Sequence, residues 1–227
     1  MKTELIVALD VDTLEKAEAL VDKLTPVVKL FKIGSQLFTA YGPEAVKMTA
    51  RKGGKVFLDL KFHDIPNTVK NAAAAATCAP VFMMTVHASG GAEMLKGALQ
   101  GAAGKAKELG IPRPAIVGIT VLTSGAGGEE VARAVLEKAR DAKAAGIDGI
   151  VCSVQETALV RKECGPDFII VNPGIRPAGA DKGDQKRTAT PADAKKAGAS
   201  YIVVGRPILE ASDPLAAAKS IIDELES

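Results

Sequence analysis

The residues best placed to do chemistry in this 227-residue chain lie in the stretch Asp59-Leu60-Lys61-Phe62-His63-Asp64. It follows a short apolar run. In an extended strand alternate side chains share a face, so Phe57, Asp59 and Lys61 point one way while Val56, Leu58 and Leu60 point the other. A lone Asp-x-Lys at a strand end is more often a structural ion pair than a catalytic one. Two further charges shift the balance. Lys32 ends another apolar run, and Asp64 lies just beyond Lys61. An alternating Lys–Asp–Lys–Asp array is expensive to desolvate unless its members pair. It can also hold an ammonium proton donor where negative charge develops on a substrate.

A second group has the chemistry of anion binding. It comprises Pro173-Gly174-Ile175-Arg176-Pro177, Gln185, and Val204-Gly205-Arg206-Pro207. Glycine at 205 lets backbone N–H groups approach an anion, and Arg206 can grip a phosphate through two parallel N–H donors. Taken alone, Gly-Arg-Pro is a common turn. Between the two motifs, residues 178–184 are small, polar and glycine-rich. That composition suits a lid closing over a bound anion and equally suits a solvated surface loop.

These residues need elements to bring them together. Short runs rich in Val and Ile, near-continuously apolar as in parallel strands covered on both faces, occupy residues 5–9, 27–33, 55–60, 81–86, 115–121, 149–153, 168–171 and 201–204. Helical stretches fill the intervals: 14–24, 44–52, 68–77, 92–109, 129–145, 155–163, 192–197 and 214–225. Thr13 suits an N-cap, and Gly53-Gly54, Gly110, Gly146 and Gly198 stand where helices end. Eight strand–helix units without a linker predict one (β/α)8 barrel, an α/β fold, over residues 1–227. A doubly wound open sheet is the alternative. It would usually carry a glycine-rich nucleotide loop after its first strand, where this chain has Asp10-Val11-Asp12-Thr13. Active sites of such barrels form at the C-terminal ends of the strands, with phosphate held after strands seven and eight. Asp10, Lys32, Asp59, Lys61, Asp64, Thr123, Arg176, Gly205 and Arg206 all fall at or just beyond those ends.

Composition narrows the functional classes. The formal charge is only +2, which argues against a broad nucleic-acid surface. Aromatic residues are 4% and Trp is absent, so base-stacking platforms are not expected. No apolar stretch reaches membrane-spanning length and no signal segment precedes the first strand. Cys78, Cys152 and Cys164 form no CxxC pair and read as reduced, buried thiols. We therefore expect a soluble cytoplasmic protein. His63 and His87 read as structural or barrel-mouth residues, and no His or Cys stands at metal-ligand spacing. The run 72–76 reads as a small-residue helix face for tight packing or a subunit contact.

The stretch Leu58-Asp59-Leu60-Lys61-Phe62-His63-Asp64-Ile65-Pro66-Asn67-Thr68 resembles the signature of the orotidine 5′-phosphate decarboxylase family. Thr120-Val121-Leu122-Thr123-Ser124, Pro173 to Pro177, Gly183-Asp184-Gln185-Lys186-Arg187 and Val204 to Pro207 resemble the family's later motifs, in order. The likeness runs from Asp10 to Arg206 and is nearest to the short bacterial form. It implies a cofactor-free and metal-free enzyme that converts orotidine 5′-phosphate to UMP and CO2, the last step of pyrimidine nucleotide synthesis. By matching position, Lys61 is the proton donor to C6, and Lys32, Asp59 and Asp64 complete its charged array. Asp10 and Lys32 match ribose-contacting positions, and Thr123 one near the pyrimidine. Arg176, Gln185, Gly205 and Arg206 match the phosphate grip. Asp64 and Thr68 match residues that reach the neighbouring subunit's site, which implies a homodimer. Asn172 stands where a Thr is expected in the bacterial form.

Two rival readings remain. Magnesium-dependent sugar-phosphate decarboxylases and aldolases of the same superfamily share Asp-x-Lys-x-x-Asp, but place an acidic ligand at the end of strand two. Here that residue is Lys32, which would repel the metal. A barrel that only binds nucleotide would have no use for the Asp59, Lys61 and Asp64 set.

Overall fold

We describe residues 2–121, 128–177 and 187–227 of a computed structural model. Eight parallel strands pair in chain order and close into a barrel. They are β1 (Glu4–Ala8), β2 (Leu30–Gly34), β3 (Lys55–Phe62), β4 (Val81–His87), β5 (Ala115–Ile119), β6 (Gly149–Val151), β7 (Ile169–Asn172) and β8 (Tyr201–Val204). Closure sets Glu4 opposite Tyr201 and Val7 opposite Val204.

The two-residue period of each strand makes two cores. Ile6, Ala8, Leu30, Phe57, Met83, Val117, Val171 and Val203 point inward and fill the barrel. Their alternates, among them Val7, Phe31, Ile33, Val56, Leu58 and Ile150, pack against the helices. Burial on both sides is why the strands read as unbroken apolar runs.

The outer ring contains α1 (Leu14–Leu24), α2 (Ser35–Tyr41), α3 (Pro43–Arg51), α4 (Pro66–Thr77), α5 (Gly91–Leu109), α6 (Glu129–Ala145), α7 (Val154–Cys164), α8 (Pro191–Ala197), α9 (Arg206–Leu209) and α10 (Pro214–Glu226). Thr13 caps α1 by accepting from the Lys16 N–H at 3.2 Å. Gly110, Gly146 and Gly198 end their helices in left-handed conformation. Helices α2 and α9 stand outside the expected set. With seven residues and a single buried one, Leu37, α2 makes no periodic stripe.

Some boundaries move. The second apolar run begins as a turn, with the N–H groups of Val27 and Val28 on the Leu24 carbonyl, and the strand starts only at Leu30. Strand β5 stops at Ile119, two residues short of the expected end. Strand β6 stops at Val151, because Ser153 turns the chain and caps α7. Cys152 and Cys164 are buried, but Cys78 is exposed, which corrects the expectation of three buried thiols. Cys78 is the C-cap of α4, where the chain leaves the helix on the solvent side. Among the described residues, no helix is long and apolar enough to cross a membrane.

Candidate active site

The centre of the site is an irregularity in β3. Pairing with β4 slips once between Val56 and Phe57, reaches Leu58 and Met84, then resumes only at Phe62 and Val86. Four steps on β3 thus match two on β4, a bulge that holds Asp59 and Lys61. Lys61 has φ of 53°, the one positive value outside glycine among the described residues. Thr85 of β4 fills the gap. Its hydroxyl accepts from the Lys61 backbone N–H at 2.8 Å and donates to Asp59 Oδ1 at 3.0 Å. The Lys61 ammonium donates to Asp59 Oδ2 at 2.8 Å. The two side chains meet at the mouth, as the alternation of faces predicts, but a bulge rather than a regular strand delivers them.

Lys32 reaches the same point from β2. Its ammonium lies 2.9 Å from Asp10 Oδ1 and 3.8 Å from Asp59 Oδ2, and its side chain is only 12% exposed. Within one chain the array is therefore Asp10–Lys32–Asp59–Lys61. Each ammonium has a carboxylate beside it, which offsets the cost of drawing it from water. Gly34 makes room for this pairing. A Cβ there would sit 2.8 Å from Lys32 Nζ and 3.2 Å from Asp10 Oδ1. Neither Thr85 nor Gly34 was among the expected site residues. Thr85 carries a signal in its parity, since it shares the inward face of β4 with Met83. Gly34 carries none without the fold.

Beside this array lies a partly open space of about 200 Å³, lined by Phe57, Ile119, Val121, Val151, Cys152 and Val171 together with Lys32, Asp59 and Lys61. It shares Lys32, Pro173 and Val203 with a wider cleft of about 700 Å³ that Asp10, Arg176, Gly205 and Arg206 line. The loops after β7 and β8 thus converge as expected. A Cβ on Gly205 would point toward Ala8 and Asp10, so a side chain there would enter the cleft. Together they form a mostly apolar pocket with an ammonium at its wall beside an arginine-bearing cleft.

Asp64 and Thr68 stand apart. Both are exposed, and among the described residues the Asp64 carboxylate accepts only the neighbouring Ile65 N–H, at 2.7 Å. The chain's own array does not include Asp64. Thr123, Gln185 and the expected lid at 178–184 lie outside the described residues. His63 and His87 stack with ring centroids 5.0 Å apart beside Lys61. Burial first, then the neighbouring His63 and Lys61 charges, hold the His87 pKa below the usual imidazole value. Burial pushes the Cys152 thiol up to about 12, so it stays protonated at the cavity wall. Asn172 is buried and donates to the Cys152 carbonyl and the Thr157 hydroxyl, both at 2.8 Å.

Fold and site together define a class of barrel: an arginine-bearing cleft at one end of the site, and an ammonium between carboxylates at the other. The comparisons with known proteins narrow that class. Residues 3–221 match the orotidine 5′-phosphate decarboxylase / HUMPS family. The chain is 50% identical to an orotidine 5′-phosphate decarboxylase from Moorella thermoacetica, over 99% of this chain and 93% of the relative. It is 45% identical to one from Vibrio parahaemolyticus, over 99% and 98%. A crystal structure of orotidine 5′-phosphate decarboxylase from Lactobacillus acidophilus superposes with a TM-score of 0.86 at 39% identity, covering 99% of this chain and all of that one. The chain belongs to the orotidine 5′-phosphate decarboxylase / HUMPS family.

Proposed function

We propose that the chain decarboxylates orotidine 5′-phosphate to UMP and CO2, without a cofactor, as the closing step of pyrimidine nucleotide synthesis in the cytoplasm. The observation that carries this reading is the Asp10–Lys32–Asp59–Lys61 array at the edge of a pocket that shares walls with an arginine-bearing cleft. Arg176, Gly205, Arg206 and Gln185 grip the phosphate, Asp10 and Lys32 hold the ribose, and Thr123 meets the pyrimidine. The C6–carboxylate bond then breaks with its electron pair left on C6. The Lys61 ammonium stabilises that charge and delivers its proton to C6. Asp59 keeps Lys61 oriented, and its charge beside the substrate carboxylate is relieved as CO2 departs. Phosphate binding far from C6 supplies energy that holds the base against the array.

Lys32 also separates this reading from the magnesium-dependent one. Its ammonium already lies within 4 Å of both Asp10 and Asp59, and a divalent cation there would meet a like charge. Asp64 and Thr68, turned outward on one chain, serve the neighbouring subunit's site in a homodimer.

The test is to mix the protein with orotidine 5′-phosphate, with and without EDTA, and follow loss of the orotate ultraviolet band. Turnover that survives EDTA is expected. Turnover only with added metal would favour the magnesium-dependent reading, and UMP binding without turnover would leave a nucleotide-binding barrel.

A further inference from the structure

Away from the array, the least exposed ion pair among the described residues joins Glu156 of α7 to Arg187. Their side chains are 3% and 2% exposed, and Arg187 Nη1 donates to Glu156 Oε1 at 2.7 Å. The other carboxylate oxygen, also buried, has no partner among the described residues. A pair this dry is a poor source of stability, because desolvating two charges cancels most of their attraction. Its contacts point to another use.

Arg187 Nη2 lies 3.5 Å from the carbonyl of Val121, and Val121 lines the pocket beside Lys61. Two residues after Arg187, Ala189 pairs with Ile175, and its carbonyl accepts the Arg176 backbone N–H at 2.9 Å. Arg176 lines the wider cleft. Glu156 fixes the guanidinium from behind, in the first turn of α7, where the Thr157 hydroxyl lies 3.7 Å from the sulfur of the pocket-lining Cys152. Arg187 is therefore linked to a wall of each half of the site, to Val121 by its side chain and to Arg176 through the backbone two residues on.

We propose that Arg187, held by Glu156, is a positioning residue that sets Val121 and Arg176 relative to each other and so couples the phosphate end of the site to the base end. This rests on the substrate assigned above. Binding energy from a remote phosphate aids the reacting carbon only if the two subsites keep a fixed separation, and a 1 Å error costs about a hundredfold.

The experiment compares the parent with Arg187→Lys and with the double variant Glu156→Leu/Arg187→Met, reading Tm, UMP affinity, and kcat and KM separately. The double variant replaces the charges with apolar volume, which buried pairs commonly tolerate. We expect it to melt within about 5 °C of the parent, yet bind UMP about tenfold more weakly and lose about thirtyfold in kcat/KM. A folded double variant with parental kcat/KM overturns the proposal. Should it not fold, Arg187→Lys decides, because lysine keeps the cation but lacks the planar fork that spans Glu156 and Val121. Weaker UMP binding by a lysine variant that is fully folded at the assay temperature supports coupling. Parental UMP affinity, or losses confined to temperatures where that variant unfolds, overturn it. If the parent itself does not turn over orotidine 5′-phosphate, the functional reading fails, and the UMP affinities still test the coupling.

Discussion

Lys61 stands in a backbone conformation that side-chain-bearing residues seldom adopt, at a cost of about 1–2 kcal/mol. Thr85 and Asp59 hold it there through the Lys61 N–H and ammonium. Strain retained in that way holds the ammonium against Asp59. Lys61→Ala should lower turnover by more than about a thousandfold while UMP binding stays measurable by calorimetry. Turnover within tenfold of the parent would remove Lys61 from the chemistry. His87 supplies a second expectation. Its folded pKa lies below the ordinary value of 6.5, so the unfolded chain takes up the proton first. Its stabilising contribution is complete above about pH 6.5 and is lost as pH falls through that value toward the folded pKa. The drop in Tm from pH 8 to pH 5.5 should therefore be smaller in His87→Asn than in the parent, and equal drops would refute this. At this scale much was legible. Asp59, Lys61 and Lys32 could be read from alternation and strand-end position. The bulge, Thr85 and Gly34 could not, because each depends on what β4 or a neighbouring ammonium brings against it.

Among the elements, α4 and α5 pack unusually closely. A Cβ on Gly97 would lie 2.8 Å from the Pro66 carbonyl oxygen, and one on Gly101 would lie 2.0 Å from that of Lys70. Glycine lets the α5 backbone rest directly on α4, whose small-residue run includes the buried Ala73. That contact fixes the helix that carries Thr68 and follows Asp64. Gly101→Ala should push the helices apart at a cost of about 1–3 kcal/mol, lowering Tm by roughly 5 °C. A shift under 1 °C in a thermal melt would contradict the close approach. Eight strands and eight helices could be anticipated because each buries a periodic apolar face. Helix α2 escaped notice, and so did the ends of β5 and β6. A seven-residue segment with one buried side chain leaves no period, and strand ends depend on neighbours.

For the whole molecule, closure of the barrel gathers strand ends that are distant in the chain. Asp10 and Lys32 meet across 22 residues, and Arg176 and Arg206 line one cleft with them. The same closure leaves Asp64, Thr68 and Ile65 on the outside, with Ile65 67% exposed. If they complete a partner's site, mixing Asp59→Asn with Asp64→Asn protein should restore activity. Random exchange gives one intact site in half of the dimers, or about a quarter of parental activity in a turnover assay. A mixture no more active than its components would place each site within one chain.

The sequence by itself determined the barrel, the lysine–carboxylate pair and the arginine-bearing loops. Each is encoded locally, as an apolar period, an alternation of faces, or a glycine beside an arginine. Tertiary structure alone decided which charges stand together. Strand pairing brought Asp10 into the array and left Asp64 out of it, forced Lys61 into its strained backbone against Thr85, and buried Arg187 on Glu156 between two walls of one site. Those arrangements arise between residues that the chain keeps far apart, and only closure of the barrel sets the distances at which their charges act.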